Sequence, residues 1–429
     1  MLLRSVWASA ALALLLLSPG CNQAAPPAEA HTAATPAPAF DAAGLERFDA
    51  ALADRADRQV RAGYAAILIR NGQTHIATAG MRDIASGEPM LATTRVRLAS
   101  MTKPVTAVAV MMLVESGEIA LDDPVSDYIP AFAATPVATS FEPDADGEYP
   151  TVPQASPITI RELLTHTAGV GYIFDSQTAL GRDYLENTLY QGEGNLAEKI
   201  DQLAQLPLYA QPGERWIYSY SNDILGRVVE VASGMPFEDF LQTRIFDPLG
   251  MADTTFFVSQ TEMTAAATLY VHGEDGQLHA AYSPERPEYQ PRWASGGGGL
   301  ISTAVDYSRF ARMLLGQGSL DGVTIVQPET IALMTRNHVA PAQMPANMAG
   351  LGYGFGFGIA LPGTDEAPAL GIAGDYSWGG LFDTDFFVSP STGLVAVMMT
   401  QEVPTEFMPE GRTRSWWRAA AYGTLPNGE

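Results

Sequence analysis

The chain has 429 residues, 47% of them hydrophobic, enough to bury a sizeable core. Its 24 Lys and Arg stand against 48 Asp and Glu, a formal net charge of −24 with no basic run, which excludes nucleic acid as an expected partner. The single cysteine, Cys21, excludes an internal disulfide, and the six histidines include no His-x-x-x-His pair of the kind that binds zinc.

Taken in order, Arg4 precedes an apolar run at 10–17, too short to span a bilayer, so residues 1–20 read as a secretory signal. Residues 21–38 are rich in Ala and Pro without apolar periodicity and read as a tether, leaving 39–429 as the folded domain. Asp41 can cap a helix with Leu45, Phe48 and Leu52 on one face. Segments 64–70 and 74–79 flank Asn71-Gly72-Gln73 as a hairpin. A helix starts near Ser100 and carries Val105, Val108 and Met112 at three- and four-residue spacing up to Gly117. Residues 131–157 are Pro-rich and acidic, a surface loop. Thr159 can cap a short helix, and Asn195 with Glu198 forms a capping box for a helix bearing Leu196, Ile200, Leu203 and Leu206. Further helices are expected at 222–232, 236–244 and 305–315, the last after four glycines at 296–299. Strands at 385–388 and 394–400 form a second hairpin, and a helix at 415–421 closes the chain. Strands at both ends with helices between them predict an α+β fold. One antiparallel sheet is built from the N- and C-terminal segments, flanked by helices, with a mainly helical lobe inserted.

The stretch Ser100-Met101-Thr102-Lys103-Pro104 carries the first chemical signal. Proline is tolerated only in the first turn of a helix, so Pro104 places that turn near Ser100 and sets Ser100 and Lys103 on one face. A serine hydroxyl needs a base, and a lysine serves only when neutral, a state that burial and the positive end of a helix both favour. The chain holds two lysines, Lys103 and Lys199, and an arginine at 103 would stay protonated. This is the only Ser-x-x-Lys in the sequence, and Gly-x-Ser-x-Gly is absent. On spacing alone the pair reads equally well as a surface lysine after a serine cap.

Six segments in order change that balance. Residues 97–130, Leu163-Leu164-Thr165-His166-Thr167-Ala168-Gly169, Pro212-Gly213-Glu214-Arg215-Trp216-Ile217-Tyr218-Ser219, Pro248-Leu249-Gly250-Met251, 295–303 and Trp378-Gly379-Gly380 together resemble the serine β-lactamase/penicillin-binding superfamily. The likeness is closest to class C β-lactamases and family VIII carboxylesterases. It implies a β-lactamase/transpeptidase-like fold with Ser100 as nucleophile and Lys103 as base. It also implies a tyrosine that relays the proton in a Tyr-x-Asn box. Tyr220-Ser221-Asn222 satisfies that box literally, whereas counting from Gly213 selects Tyr218, with Tyr220 in the asparagine position; Tyr218 is the expected catalytic residue and Tyr220 a substrate contact. Trp378, Gly379, Gly380 and Leu381 stand where penicillin-binding proteins carry Lys-Thr-Gly. The backbone N–H groups of Ser100 and Leu381 are then the expected oxyanion donors, and Arg412 and Arg414 candidates to replace the lysine cation.

By the same resemblance His166 is a structural neighbour rather than a base, and the glycine run a tight turn onto a helix rather than a phosphate loop. Cys21, after Leu17-Ser18-Pro19-Gly20, resembles the lipidated cysteine of bacterial lipoproteins, with Ser18 departing from the usual leucine and plain cleavage at 24–30 as the alternative. The expectation is an exported, periplasmic serine hydrolase, membrane-tethered through Cys21. It forms an acyl-enzyme on small or aromatic esters and needs neither metal nor organic cofactor. A β-lactamase or D-alanyl-D-alanine carboxypeptidase is the alternative enzyme, and a tethered, non-catalytic peptidoglycan- or ligand-binding module the alternative of another class. The sequence leaves the oligomeric state open.

Overall fold

A computed structural model describes residues 38–186, 194–282, 293–348, 350–362 and 371–426. The leader at 1–20 and all but the last residue of the tether lie outside them. Helix α1 (Ala42–Asp57) starts where Asp41 Oδ2 accepts the Gly44 N–H at 2.7 Å. Strands β1 (Gly63–Arg70) and β2 (Gln73–Asp83) follow, joined through Asn71 and Gly72 at φ 48° and 75°. Two consecutive left-handed residues are what a tight hairpin turn requires, and Asn-Gly supplies them. After β3 (Glu88–Pro89), a 3₁₀ turn at Ala99–Met101 runs into α2 (Thr102–Ser116), which ends at Gly117 with φ 79°. Helices α3 (Ser221–Ser233) and α4 (Ala304–Leu315) come next. Strands β4 (Leu351–Tyr353), β5 (Gly358–Ala360), β6 (Tyr376–Gly379), β7 (Asp385–Ser389) and β8 (Leu394–Met399) complete the sheet, and α5 (Trp417–Tyr422) closes the fold. The strand order is β4-β5-β6-β7-β8-β1-β2-β3, with every neighbouring pair antiparallel. Both ends of the domain therefore build one sheet, as the strand pattern predicts.

The pleat of β1 explains its unbroken apolar run. Ala65, Ile67 and Ile69 face the larger core, shared with α2 and α4, while Tyr64, Ala66 and Leu68 face a smaller core against Phe48, Leu52, Trp417 and Ala421. Strand β8 divides the same way, with Val395, Val397 and Met399 opposite Leu394, Ala396 and Met398. A sheet covered on both faces needs apolar residues at every position.

Three expectations change in detail. Helix α2 is buried on nearly every side rather than along one stripe, because it runs through the middle of the larger core and packs on α3. The loop at 131–157 contains structure of its own, a 3₁₀ turn at Pro130–Ala134 that overlaps its start and a short pair, Val137–Ala138 with Thr151–Val152. The capping-box helix stops at Leu203, short of Leu206, as Pro207 approaches. A small three-stranded sheet of Leu269–His272, Leu278–Tyr282 and Glu402–Val403 also forms, from segments too short to show a strand period. Among the described residues no helix is long and apolar enough to cross a membrane.

The layering gives a direct contrast. Ile67 and Ile76 are cross-strand partners, yet Ile67 is buried and Ile76 is 53% exposed. In urea unfolding, Ile67→Ala is expected to cost about 3 kcal/mol, and Ile76→Ala below about 1 kcal/mol.

Candidate active site

The site is built on the turn that opens α2. Ala99 holds φ 47°, a left-handed conformation that costs a residue with a Cβ about 1 kcal/mol. Ser100 follows it, partly exposed, and Lys103, one turn further, is fully buried. Lys103 Nζ lies 3.3 Å from Ser100 Oγ and donates to the Gly297 carbonyl at 2.7 Å. The four-glycine segment lies along the helix. Thr106 Oγ1 donates to the Gly296 carbonyl at 2.7 Å, and the Leu300 N–H donates to Thr102 Oγ1 at 3.1 Å. A Cβ on Gly297 would collide with Asp223 Oδ2, so this backbone reaches the lysine only without a side chain. The glycines therefore supply a close approach as well as a turn onto α4.

Tyr218 sits over the pair, its ring centroid 4.5 Å from Lys103 Nζ. Around it stand Trp216 at 5.9 Å, Trp378 at 5.8 Å and His166 at 4.9 Å between centroids, with Phe174 stacked at 6.2 Å. Tyr220 takes no part in this wall. It caps the N-terminus of α3, where its side chain turns inward and packs on Tyr172 at 4.7 Å, fully buried. Tyr220, expected as a substrate contact, is therefore not among the residues that line the cleft. Asn222, from the literal Tyr-x-Asn box, donates from Nδ2 to the Lys103 carbonyl at 3.3 Å and steadies the helix backbone.

The third wall is the end of β6. Gly379 pairs with Asp385, and Gly380 is pressed between Thr384 and the Leu98 carbonyl, with which a Cβ would collide. Thr384 Oγ1 also donates to that carbonyl at 3.1 Å, locking the strand end to the residues just before Ser100. A buried ion network holds the far side. Arg412 Nη2 donates to the Gly380 carbonyl, and its Nε lies 3.1 Å from Asp383 Oδ1. Asp383 Oδ2 accepts from Arg61 Nε at 2.8 Å, and Arg61 also faces Glu402 at 3.4 Å. These elements enclose a cleft of about 250 Å³ lined by Ser100, Phe174, Trp216, Tyr218, Trp378, Gly379, Gly380, Leu381, Arg412 and Arg414.

Seven of the eight expected site residues thus meet. Lys103 lies beneath the cleft, and Ser100, Tyr218, Trp378, Gly379, Gly380 and Leu381 line it. Both arginines flagged downstream reach the same wall. Phe174, Trp216 and Asp223 carry no signal of a role in the sequence. Trp216 lies within the 212–219 segment with no role implied for it, and Asp223 in the first turn of α3 looks like any acid placed against a helix dipole. Among the described residues no group of three or more His, Cys, Asp or Glu could hold a metal ion.

His166 lies behind Tyr218, fully buried, with Nδ1 2.9 Å from Ser219 Oγ. Burial first, and then the Lys103 ammonium, hold its pKa well below the ordinary 6.5. The folded state therefore refuses a proton that the unfolded chain accepts, so this contribution to stability is present above the ordinary value and is lost as pH falls below it. Urea unfolding from pH 7 to pH 5 is expected to show stability falling by up to about 1.4 kcal/mol per pH unit from this one group. In His166→Asn the slope becomes shallower.

Comparison with known proteins agrees with this architecture. The Beta-lactamase family model matches residues 48–421. Protein Rv1367c of Mycobacterium tuberculosis is 37% identical over 335 residues, covering 76% of this chain and 82% of that one. Esterase EstB of Burkholderia gladioli is 33% identical over 384 residues, covering 84% and 91%. The solved structure of EstCE1, described as a hydrolase with promiscuous acyltransferase activity, superposes with a TM-score of 0.72 at 27% identity, covering 89% of this chain and 99% of that one. With its antiparallel sheet and a family match over most of its length, the chain is a β-lactamase-fold serine hydrolase and belongs to the Beta-lactamase family.

Proposed function

We propose that the protein is a carboxylesterase acting on small or aromatic esters, with Ser100 as nucleophile, Lys103 as base and Tyr218 as proton relay. In this mechanism the Ser100 proton passes to Lys103 as Oγ forms a bond to the ester carbonyl carbon. The N–H groups of Ser100 and Leu381 take the negative oxygen, and each such donor contributes about 3 kcal/mol to the barrier reduction. Tyr218 protonates the departing alkoxide as the C–O bond breaks, leaving an acyl group on Ser100. A water molecule, deprotonated through the same pair, then releases the acid and restores the hydroxyl. No step calls on a metal or an organic cofactor.

One observation carries the substrate class. Trp378, with Trp216, Tyr218 and Phe174, gives the cleft aromatic walls directly beside Ser100. Such walls favour apolar and aromatic groups. The printed name of the relative EstB points the same way. Arg412 and Arg414, which also line the cleft, favour the second reading, a substrate bearing a carboxylate, as in a β-lactam or a peptide. The non-catalytic binding module finds no comparable support, since the relative EstB is described as an esterase and EstCE1 as a hydrolase. Export and a tether at Cys21 remain part of the proposal and rest on the sequence of residues 1–38.

Hydrolysis of a short p-nitrophenyl ester measured beside a chromogenic cephalosporin separates the two readings. The ester is expected to turn over at least tenfold faster, and activity is expected to fall at least a thousandfold in Ser100→Ala. Turnover of the cephalosporin alone would reverse the substrate assignment.

A further inference from the structure

Beneath Lys103 lies a buried acidic group for which the esterase chemistry above has no use. Asp223 is fully buried in the first turn of α3. Its Oδ1 accepts the Ser295 hydroxyl at 2.5 Å and the Gly297 N–H at 3.1 Å. The carbonyl of the same residue, Gly297, accepts from Lys103 Nζ at 2.7 Å. One glycine, through its two adjoining peptide groups, thus links Asp223 to Lys103, with its N–H toward the acid and its C=O toward the amine. Gly297 admits no side chain at this point because Asp223 occupies that space.

We propose that Asp223 is a positioning residue of the active site, fixing the Gly297 peptide that holds Lys103 against Ser100 and, through its negative charge, setting the pH range in which Ser100 reacts. Burying a carboxylate costs several kcal/mol unless donors and a counter-charge surround it. Two donors reach Asp223 Oδ1, Lys103 supplies the counter-charge and the start of α3 a favourable dipole, while Oδ2 is buried with no hydrogen-bond partner. Burial raises its pKa, while the Lys103 ammonium, the Ser295 hydroxyl and the Gly297 N–H act in the opposite direction.

The groups that face Lys103 are few. Asp223 approaches from α3, and Ser100 stands on the turn before the lysine. The rings of Tyr218 and Tyr172 lie 4.5 and 5.2 Å from Nζ, and His166 acts from behind Tyr218. Asp223 is the one acidic side chain in this set; burial, the largest influence, raises its pKa, and Lys103, the Ser295 hydroxyl and the Gly297 N–H favour its charged form. A carboxylate beside an ammonium stabilises the protonated form of the pair. Replacing it by a neutral amide removes that stabilisation.

The inference rests on the serine-nucleophile reading, and its test separates the two. The rate at which a fluorophosphonate labels Ser100 is measured against pH in the unaltered protein and in Asp223→Asn, which keeps an acceptor for Ser295 and Gly297 but removes the charge. The acid limb of the labelling profile is expected to move to lower pH by about one unit, a shift that a purely structural role would not produce. If Asp223→Asn fails to fold, Ser295→Ala replaces it. That change removes one donor from the carboxylate, disfavours its charge and is expected to move the limb the same way by less. Coincident limbs, or a limb moved to higher pH, in labelled protein would overturn the inference alone. Absence of labelling in the unaltered protein would overturn the nucleophile reading and this inference with it.

Discussion

A lysine amine buried at the start of the central helix is the constraint on which the rest of the structure depends. Lys103 Nζ has been withdrawn from water and given two oxygen neighbours, Ser100 Oγ and the Gly297 carbonyl. Taking an ammonium out of water costs several kcal/mol unless partners surround it. The fold supplies them from segments distant in sequence. Helix α2 presents the lysine, the glycine run before α4 brings a carbonyl, α3 brings a carboxylate behind that carbonyl, and Tyr218 closes the top. Each of these would be out of place if α2 were not held on every side by the larger core.

Close backbone approach is the means by which those segments meet. At Gly297 a peptide passes between Lys103 and Asp223, and at Gly380 the end of β6 is pressed against the Leu98 carbonyl just before Ser100. Both contacts exclude a Cβ. The second is backed by a network that starts at Arg61, two residues before β1, and passes through Asp383 to Arg412 and the Gly380 carbonyl. Removing one member of such a buried network leaves its partner charged and unpaired, the costly case for an interior ion. The sheet assembled from both ends of the domain is thus coupled to the geometry of the cleft mouth.

Much of this was legible in the residues. The helix start at Ser100 followed from Pro104, the hairpin from Asn71-Gly72, and a single antiparallel sheet joining both ends of the domain from the strand signals there. These are local signals with short range. The choice between Tyr218 and Tyr220 could not be settled by the literal Tyr-x-Asn pattern, because only the start of α3 decides which ring turns inward. Asp223 stayed hidden because an acid in the first turn of a helix has an ordinary explanation, and its partners, Ser295 and Gly297, lie more than seventy positions away. Arg412 and Arg414 were visible as cations, but their wall of the cleft exists only once the C-terminal segment has folded back over β6. Long-range pairing of polar groups leaves little trace in local periodicity.

The account stands on the identity of one atom, the Oγ of Ser100, as the group that carries the acyl chain. Acid quenching during turnover of a p-nitrophenyl ester, followed by intact-mass and peptide mass analysis, tests this directly. The account predicts a mass increment equal to the acyl group, located on the peptide that contains Ser100. An increment located on any other residue, or turnover without one at any quench time, would contradict it.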